Sequence, residues 1–487
     1  MEIELPLIVT FIGYLLATLF IGFVAYKATN TLSDYILGGR QLGPAVTALS
    51  VGASDMSGWL LLGLPGAIYL SGASAVWIGV GLVIGAFFNW LLVAPRLRAF
   101  TEKAGNALTI PEFLENRFAD KSHTLRFISA FTILIFFTFY VSSGLVGGAI
   151  LFEKVFGLDY NTALLIGAIV IVSYTFLGGF LAVSWTDFFQ GCLMLIALII
   201  LPIVAVNELG GLDKTQEILI NANPDYANLF KDFSWIGFVS LMAWGLGYFG
   251  QPHILSRFMA IRSVEDIPKS RNIAMAWMVV SLIGALSVGL VGIAYYAGQP
   301  LDNPETIFIF LAKAILNPWV AGIIIAAILS AIMSTIDSQL LVCSSVIVED
   351  FYKNFSKRKA SENELVWLTR FSLLAIAILA SLVALDPQSS VLGLVSYAWA
   401  GFGSAFGPTI ILALFWSKFN RHGALASIIT GAVVVIVWPM LKDLGGLFAL
   451  YELIPGFLLA FIAGYLVTKA TINSDNKSEQ IFHSLNN

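Results

Sequence analysis

The sequence predicts an all-α polytopic membrane protein of about 13 transmembrane helices. Three observations predict it. Hydrophobic residues make up 58% of the 487-residue chain and charged residues only 11%. Apolar runs of about 20 residues, the length that crosses a bilayer, recur from end to end. Lys and Arg crowd into alternate loops, the asymmetry that orients helices in a membrane. A soluble protein with a large core shows neither this composition nor these runs.

Taken in order, the spans fall at 6–26, 45–73, 75–95, 127–152, 161–183, 188–206, 236–256, 274–297, 319–346, 366–385, 391–417, 423–441 and 451–470. No basic n-region or cleavage site accompanies the first, so Pro6–Tyr26 reads as a retained span, not a signal peptide. An odd number of spans puts the termini on opposite sides. Of the 26 basic residues, one set of loops holds only Lys154, Lys214, Lys231, Lys313 and Lys442. The other set is cytoplasmic. This predicts a multi-pass protein of the cell inner (cytoplasmic) membrane, N-terminus outside and C-terminus inside. The longest loops are too small for a separate catalytic domain. Residues 1–470 read as one transmembrane domain and 471–487 as a polar, flexible cytoplasmic tail. Cys192 and Cys343 lie in apolar runs and read as packing residues. His123, His253, His422 and His483 all read as peripheral.

Span two is unusual. Ser50–Gly63 and Pro65 combine Asp55 with three serines, glycines and a proline. Lipid cannot satisfy loose backbone groups, so broken helix at depth is tolerated only where it lines a protein cavity. A charge there costs roughly 2.5–3.5 kcal/mol on the mildest scales. Residues 241–252, with three glycines and a proline near Trp244 and Tyr248, and residues 396–408 also read as interrupted. Glycine- and proline-broken segments in two halves point to inverted repeats around a midplane site. The repeats would run about 45–206 and about 236–417.

Asp55 needs a cation, a basic partner or a proton. It could pair with Arg40 or cap the broken helix. It could instead help to bind Na⁺, H⁺ or the ammonium of a solute, and the small and hydroxyl residues around it favour that. In span nine, Ala331 and Thr335 share a helix face, as do Ser334 and Ser338. Hard cations take oxygen ligands, so these hydroxyls with carbonyls from a broken helix could cage Na⁺. Spacing alone favours the plainer reading, hydroxyls bonded back to their own helix or joining helices. Asp337 is a second carboxylate at depth. Trp59, Tyr140, Trp244 and Tyr248 lie mid-span, where an aromatic box suits a small, partly apolar solute with a cationic end. Asp187 could be a loop charge or part of an ion exit path. No metal spacing, nucleophile elbow or P-loop is present, which argues against a membrane enzyme. Broken helices around a closed aromatic site argue against a channel.

The segments Asp34–Arg40, Ser50–Gly63, Gly178–Asp187, Trp244–His253 and Met333–Thr335 together resemble the sodium:solute symporter family, over about residues 5 to 470. The resemblance implies a five-plus-five inverted-repeat (LeuT-like) core, here spans two to eleven, and alternating access. It implies Na⁺-coupled uptake of L-proline, with another amino acid, a sugar or pantothenate as the alternative solute. It implies Na⁺ at the carbonyls of Ala53, Met56 and Ala331 and the hydroxyls of Ser334 and Thr335, which reverses the plainer reading of those hydroxyls. Asp55 matches a carboxylate needed for sodium coupling. Ser57, Trp59, Gly63, Tyr140, Trp244, Tyr248 and Pro252 match solute-site positions, Arg40 a functional cytoplasmic residue, and Asp187 a position tied to a further ion site. Asp337 departs from the pattern, standing where some relatives carry a small neutral residue. No nucleic acid and no obligatory protein partner are implied.

Overall fold

Helix accounts for nearly every described residue, in a computed structural model covering 5–26, 36–177, 179–297, 299–355, 361–471 and 476–486. Asp34, Tyr35 and Gly178 lie outside the described residues. In chain order the helices are α1 (Leu5–Tyr26), α2 (Pro44–Asp55), α3 (Leu64–Ser71), α4 (Val76–Phe88), α5 (Ala94–Lys103), α6 (Ile110–Phe118), α7 (Thr124–Phe156), α8 (Tyr160–Leu177), α9 (Phe180–Glu208) and α10 (Leu212–Ala222). There follow α11 (Trp235–Met242), α12 (Pro252–Ala260), α13 (Ile267–Tyr295), α14 (Ile307–Ile315), α15 (Pro318–Ser345), α16 (Glu362–Val383), α17 (Val391–Phe415), α18 (Arg421–Val437), α19 (Leu453–Thr471) and α20 (Asn476–Asn486).

Nine helices among the described residues are long and apolar enough to cross a membrane, and Leu5–Ile21, Tyr160–Ser173 and Trp235–Gly250 are shorter apolar helices. One of the nine, Trp59–Lys103, breaks at Gly72, where φ is +72°. That conformation is open to glycine at no steric cost, and the segment so holds the second half of predicted span two and the whole of span three. Several starts are written in the sequence. Pro44, Pro252 and Pro318 sit in first turns, where a missing N–H costs nothing. The side chains of Asn317, Ser390 and Asn420 cap α15, α17 and α18.

Burial places the site. The most apolar window of Pro318–Tyr352 is 83% buried against protein, whereas that of Arg421–Leu444 is 28% buried. Helix α15 is therefore central and α18 peripheral. Two spans are broken: span two at Met56–Gly58, between α2 and a π-turn at Trp59–Gly63, and span seven at the 3-10 stretch Ala243–Gly250 and Gln251. Leu42, ahead of α2, pairs with Ile261, just after α12. The Leu42 amide donates to the Ala260 carbonyl (3.2 Å) and the Arg262 amide to the Leu42 carbonyl (3.1 Å). The start of one broken span thus meets the end of the other, an arrangement that suits two units of inverted topology.

Two expectations are corrected. Residues 396–408 are not interrupted: α17 runs unbroken through Gly401, Gly403, Gly407 and Pro408. Its glycines serve close packing. A Cβ on Gly403 would come within 2.6 Å of Leu453 and 2.8 Å of the Gly247 Cα, and one on Gly407 within 2.6 Å of Phe457. The tail is not featureless either. Helix α20 seats Phe482, only 7% exposed, against Phe100, with ring centroids 5.8 Å apart. The Arg117 guanidinium donates to the Ser478 carbonyl (2.7 Å) and lies 4.9 Å from the Phe482 ring. A polar composition hid one apolar anchor and its arginine partner. Phe482→Ala should release α20: limited proteolysis beyond Thr471 should speed up at least about tenfold, a floor set below the roughly 3–5 kcal/mol of a fully buried Phe→Ala loss, while the membrane domain's thermal midpoint stays unchanged.

Candidate functional site

Where α2 stops, its last carbonyls lose their helical partners. In the membrane each needs another donor. The Gly52 carbonyl still takes the Met56 amide (2.9 Å), the last regular bond of the helix. The Ala53 carbonyl accepts from the hydroxyls of Ser334 (2.7 Å) and Thr335 (3.3 Å) on α15. The Asp55 carbonyl accepts from the Ser57 amide (3.0 Å), the Trp59 indole (3.2 Å) and the Tyr140 hydroxyl of α7 (3.3 Å). The Ser334 hydroxyl also lies 3.1 Å from the Ala331 carbonyl. Ala53, Ala331, Ser334 and Thr335 are thus assembled as an all-oxygen cluster between a broken helix and an intact one. Met56, 1% exposed, lies at the break beside it. Such a donor set fits a hard monovalent cation.

Asp55 is buried one step from this cluster. The Tyr248 hydroxyl donates to its Oδ2, and its Oδ1 has no protein partner. Arg40 is not its counter-ion. That guanidinium binds the Asn106 side chain (2.8 Å) and the carbonyls of Ala107 (2.7 Å) and Met259 (2.5 Å). Burial, then nearby Arg98, pushes Arg40 down to about 10, so it stays a cation at neutral pH and braces the chain around the ends of α5 and α12.

The aromatic residues converge on the same place. Trp59 and Trp244 rings lie 6.5 Å apart, and the Tyr140 and Tyr248 hydroxyls both reach Asp55. The Ser57 hydroxyl is buried and receives the Trp59 amide at 3.4 Å. Gly63 lets α17 come close, since a Cβ there would meet that of Leu392 at 3.0 Å. Pro252 opens α12 on the far side of the break and lines a small cavity with Ser256, Met259, Phe180 and Ser345.

A second buried network adjoins the first along α15. Asp187 is no loop charge: it lies inside α9, fully buried, 3.2 Å from the equally buried Arg257 of α12. The Ser50 hydroxyl donates to Asp187 (2.6 Å), and Arg257 donates to Ser50 (2.9 Å) and to Ser338. Asp337 is also fully buried and accepts from the Thr175 hydroxyl. Reasoning from the sequence missed Arg257, counted as a loop charge although it sits in the apolar stretch Pro252–Ala260. It also misplaced His253, which is fully buried, ring edge toward Tyr140 at 5.8 Å. Glu305 carried no signal. From the loop before α14 it accepts the amides of Val391 (2.9 Å) and Leu392 (3.0 Å), capping α17 across the molecule.

Broken helices facing an oxygen-lined site at the centre of a helical membrane fold define a secondary transporter. The chain belongs to the sodium:solute symporter family, matching it over residues 35–431. It is 55% identical over 455 residues to the high-affinity proline transporter PutP of Bacillus subtilis (strain 168), covering 93% of this chain and 96% of that one. It is 52% identical over 468 residues to the sodium/proline symporter of Escherichia coli (strain K12), covering 95% and 92%. The fold matches that of a Na⁺-coupled sialic acid symporter in a substrate-bound outward-open state, with a TM-score of 0.80, 21% identity and coverage of 96% and 98%. The family and these relatives are transporters, not enzymes.

Removing one member of a buried ion pair typically costs 3–5 kcal/mol, because the other charge is left uncompensated. Asp187→Leu and Arg257→Met should each lower the thermal midpoint of the purified protein sharply. The double substitution should lose less than the sum of the two. Strictly additive losses would mean that the pair is not coupled.

Proposed function

We propose that this protein catalyses Na⁺-coupled uptake of L-proline across the cell inner membrane by alternating access, with its N-terminus outside and its C-terminus in the cytoplasm. The observation that carries the proposal is the convergence of the Ser334 and Thr335 hydroxyls on the Ala53 carbonyl, beside Asp55 and its phenol partner. The proline and sodium/proline transport named for the relatives supports the choice of solute and ion.

In this reading Na⁺ is a co-transported substrate. It enters from outside and turns toward itself the oxygens of Ala53, Met56, Ala331, Ser334 and Thr335, joining broken span two to α15. Asp55 supplies the nearby negative charge that favours the cation. The join fixes the half-helix beyond the break. L-Proline then sets its carboxylate at backbone N–H groups of a half-helix start and its ring among Trp59, Tyr140, Trp244 and Tyr248, with Ser57, Gly63 and Pro252 shaping the remaining wall. The repeats, about 45–206 and about 236–417, rock against each other and open the site inward. Asp187 and Asp337 lie on the cytoplasmic way out and act in coupling, and Arg40 steadies the cytoplasmic ends.

The driving force suffices. A tenfold Na⁺ gradient is worth about 1.4 kcal/mol, and 100 mV about 2.3 kcal/mol per charge. One Na⁺ then supports roughly 500-fold accumulation.

Asp55→Asn should reach the membrane yet lose Na⁺-stimulated proline uptake. Ser334→Ala with Thr335→Ala should raise the Na⁺ concentration for half-maximal uptake by at least about tenfold, the effect of about 1.4 kcal/mol. Labelled proline uptake in vesicles at varied Na⁺ measures both. Wild-type Na⁺ dependence in either variant removes the proposed site.

A further inference from the structure

We propose that Trp399 is a positioning residue for the solute pocket: from the unbroken helix α17, its indole fixes the irregular stretch of span seven that carries Trp244 and Tyr248. The proposal rests on the function argued above, in which those two rings hold the solute.

Five observations carry it. Trp399 is 1% exposed, and its indole N–H donates to the Trp244 carbonyl at 2.7 Å. Its ring stands edge-on to the Tyr248 ring, with centroids 5.0 Å apart and planes at 87°. Its own carbonyl lies 3.3 Å from the Gln251 side-chain nitrogen, which also donates to the Gly247 carbonyl at 3.1 Å. Gly247 lies directly under the indole, and a Cβ added there would overlap the ring. The indole thus touches residues 244, 247 and 248, and the Trp399 carbonyl holds Gln251 at the end of the break.

The arrangement answers a physical need. A 3-10 stretch in the membrane holds its shape poorly, because its hydrogen-bond geometry is worse than that of an α-helix. An external donor on a rigid support sets its register. Helix α17 is such a support, because Glu305 caps its first turn from a separate loop. The effect reaches the ion-coupling carboxylate without Trp399 touching it. Trp399 packs on Tyr248, and the Tyr248 hydroxyl donates to Asp55. A second line runs from the Trp244 carbonyl to the Trp244 ring, which lies beside Trp59. Trp399 therefore governs both solute rings and the orientation of the phenol on Asp55.

The test uses the full-length protein, Trp399→Phe, which keeps an aromatic ring but loses the pyrrole half of the indole and its N–H, and Gly247→Ala, which crowds the indole out. Two readings are taken: proline uptake kinetics in proteoliposomes, and hydrogen exchange of backbone amides over residues 243–252 without solute. Each variant should raise the proline KM about tenfold with Vmax within about twofold and normal abundance. Each should exchange at least tenfold faster over that stretch. The double variant should be no worse than Gly247→Ala, since both changes remove one contact. Unchanged exchange in both variants overturns the proposal, as does a loss of abundance and Vmax at unchanged KM, the mark of plain packing. A wild-type protein that takes up no proline overturns the proposed function instead, and the exchange reading, which needs no solute, still decides the role of Trp399.

Discussion

A carbonyl with no helical partner has nowhere to turn in a bilayer, and this structure is arranged around that constraint. At the end of α2 the Ala53 and Asp55 carbonyls are released together. Each is met by side chains from beyond α2: hydroxyls of α15 on one, the indole of Trp59 in the same span and a phenol of α7 on the other. The hydroxyls are the consequential choice. An oxygen that donates a proton to a carbonyl can also turn a lone pair to a cation lying between them. The group that repairs the break is thus the group that can trade the repair for an ion.

The second break is repaired with different chemistry. The carbonyls of residues 244, 247 and 248 are met by an indole N–H and by the amides of Gln251 and Asn89. These groups donate through nitrogen and offer no lone pair at the contact. Span seven therefore carries rings and no cation cluster, while span two carries the oxygens. At the two breaks the spans are linked by the Tyr248 phenol on the Asp55 carboxylate. On the proposed function, such a division between an ion side and a solute side, bridged at Asp55, suits coupled transport: occupancy on one side biases geometry on the other.

The membrane class, the order of the spans and the break at Asp55 were legible because each rests on a local rule of length, charge or helix chemistry. Segment 396–408 was misread because the same glycines and proline that break a helix also let one pack closely. Only the neighbours, Leu453, Phe457 and Gly247, decide between the two. Asp187 was left between a loop charge and part of an ion exit path, and Arg257 was counted among the loop charges, because pairing across 70 residues leaves no local trace. The hydroxyls of Ser334 and Thr335 carried no decisive signal of their own, since serine and threonine bond back to their own helix as readily. The Ala53 carbonyl opposite them shows that they join two helices, which the sequence alone could not tell from bonding back to their own. Helix α20 escaped notice because one buried phenylalanine does not alter a polar composition.

The central claim is that a cation at the break in span two builds the solute pocket. Equilibrium binding of labelled L-proline to the purified protein, measured with Na⁺ and with Na⁺ replaced by choline, tests it without transport. The account predicts that Na⁺ tightens proline binding at least about tenfold, and that proline tightens Na⁺ binding by the same factor, as linkage requires. Equal proline affinity in the two salts would contradict it.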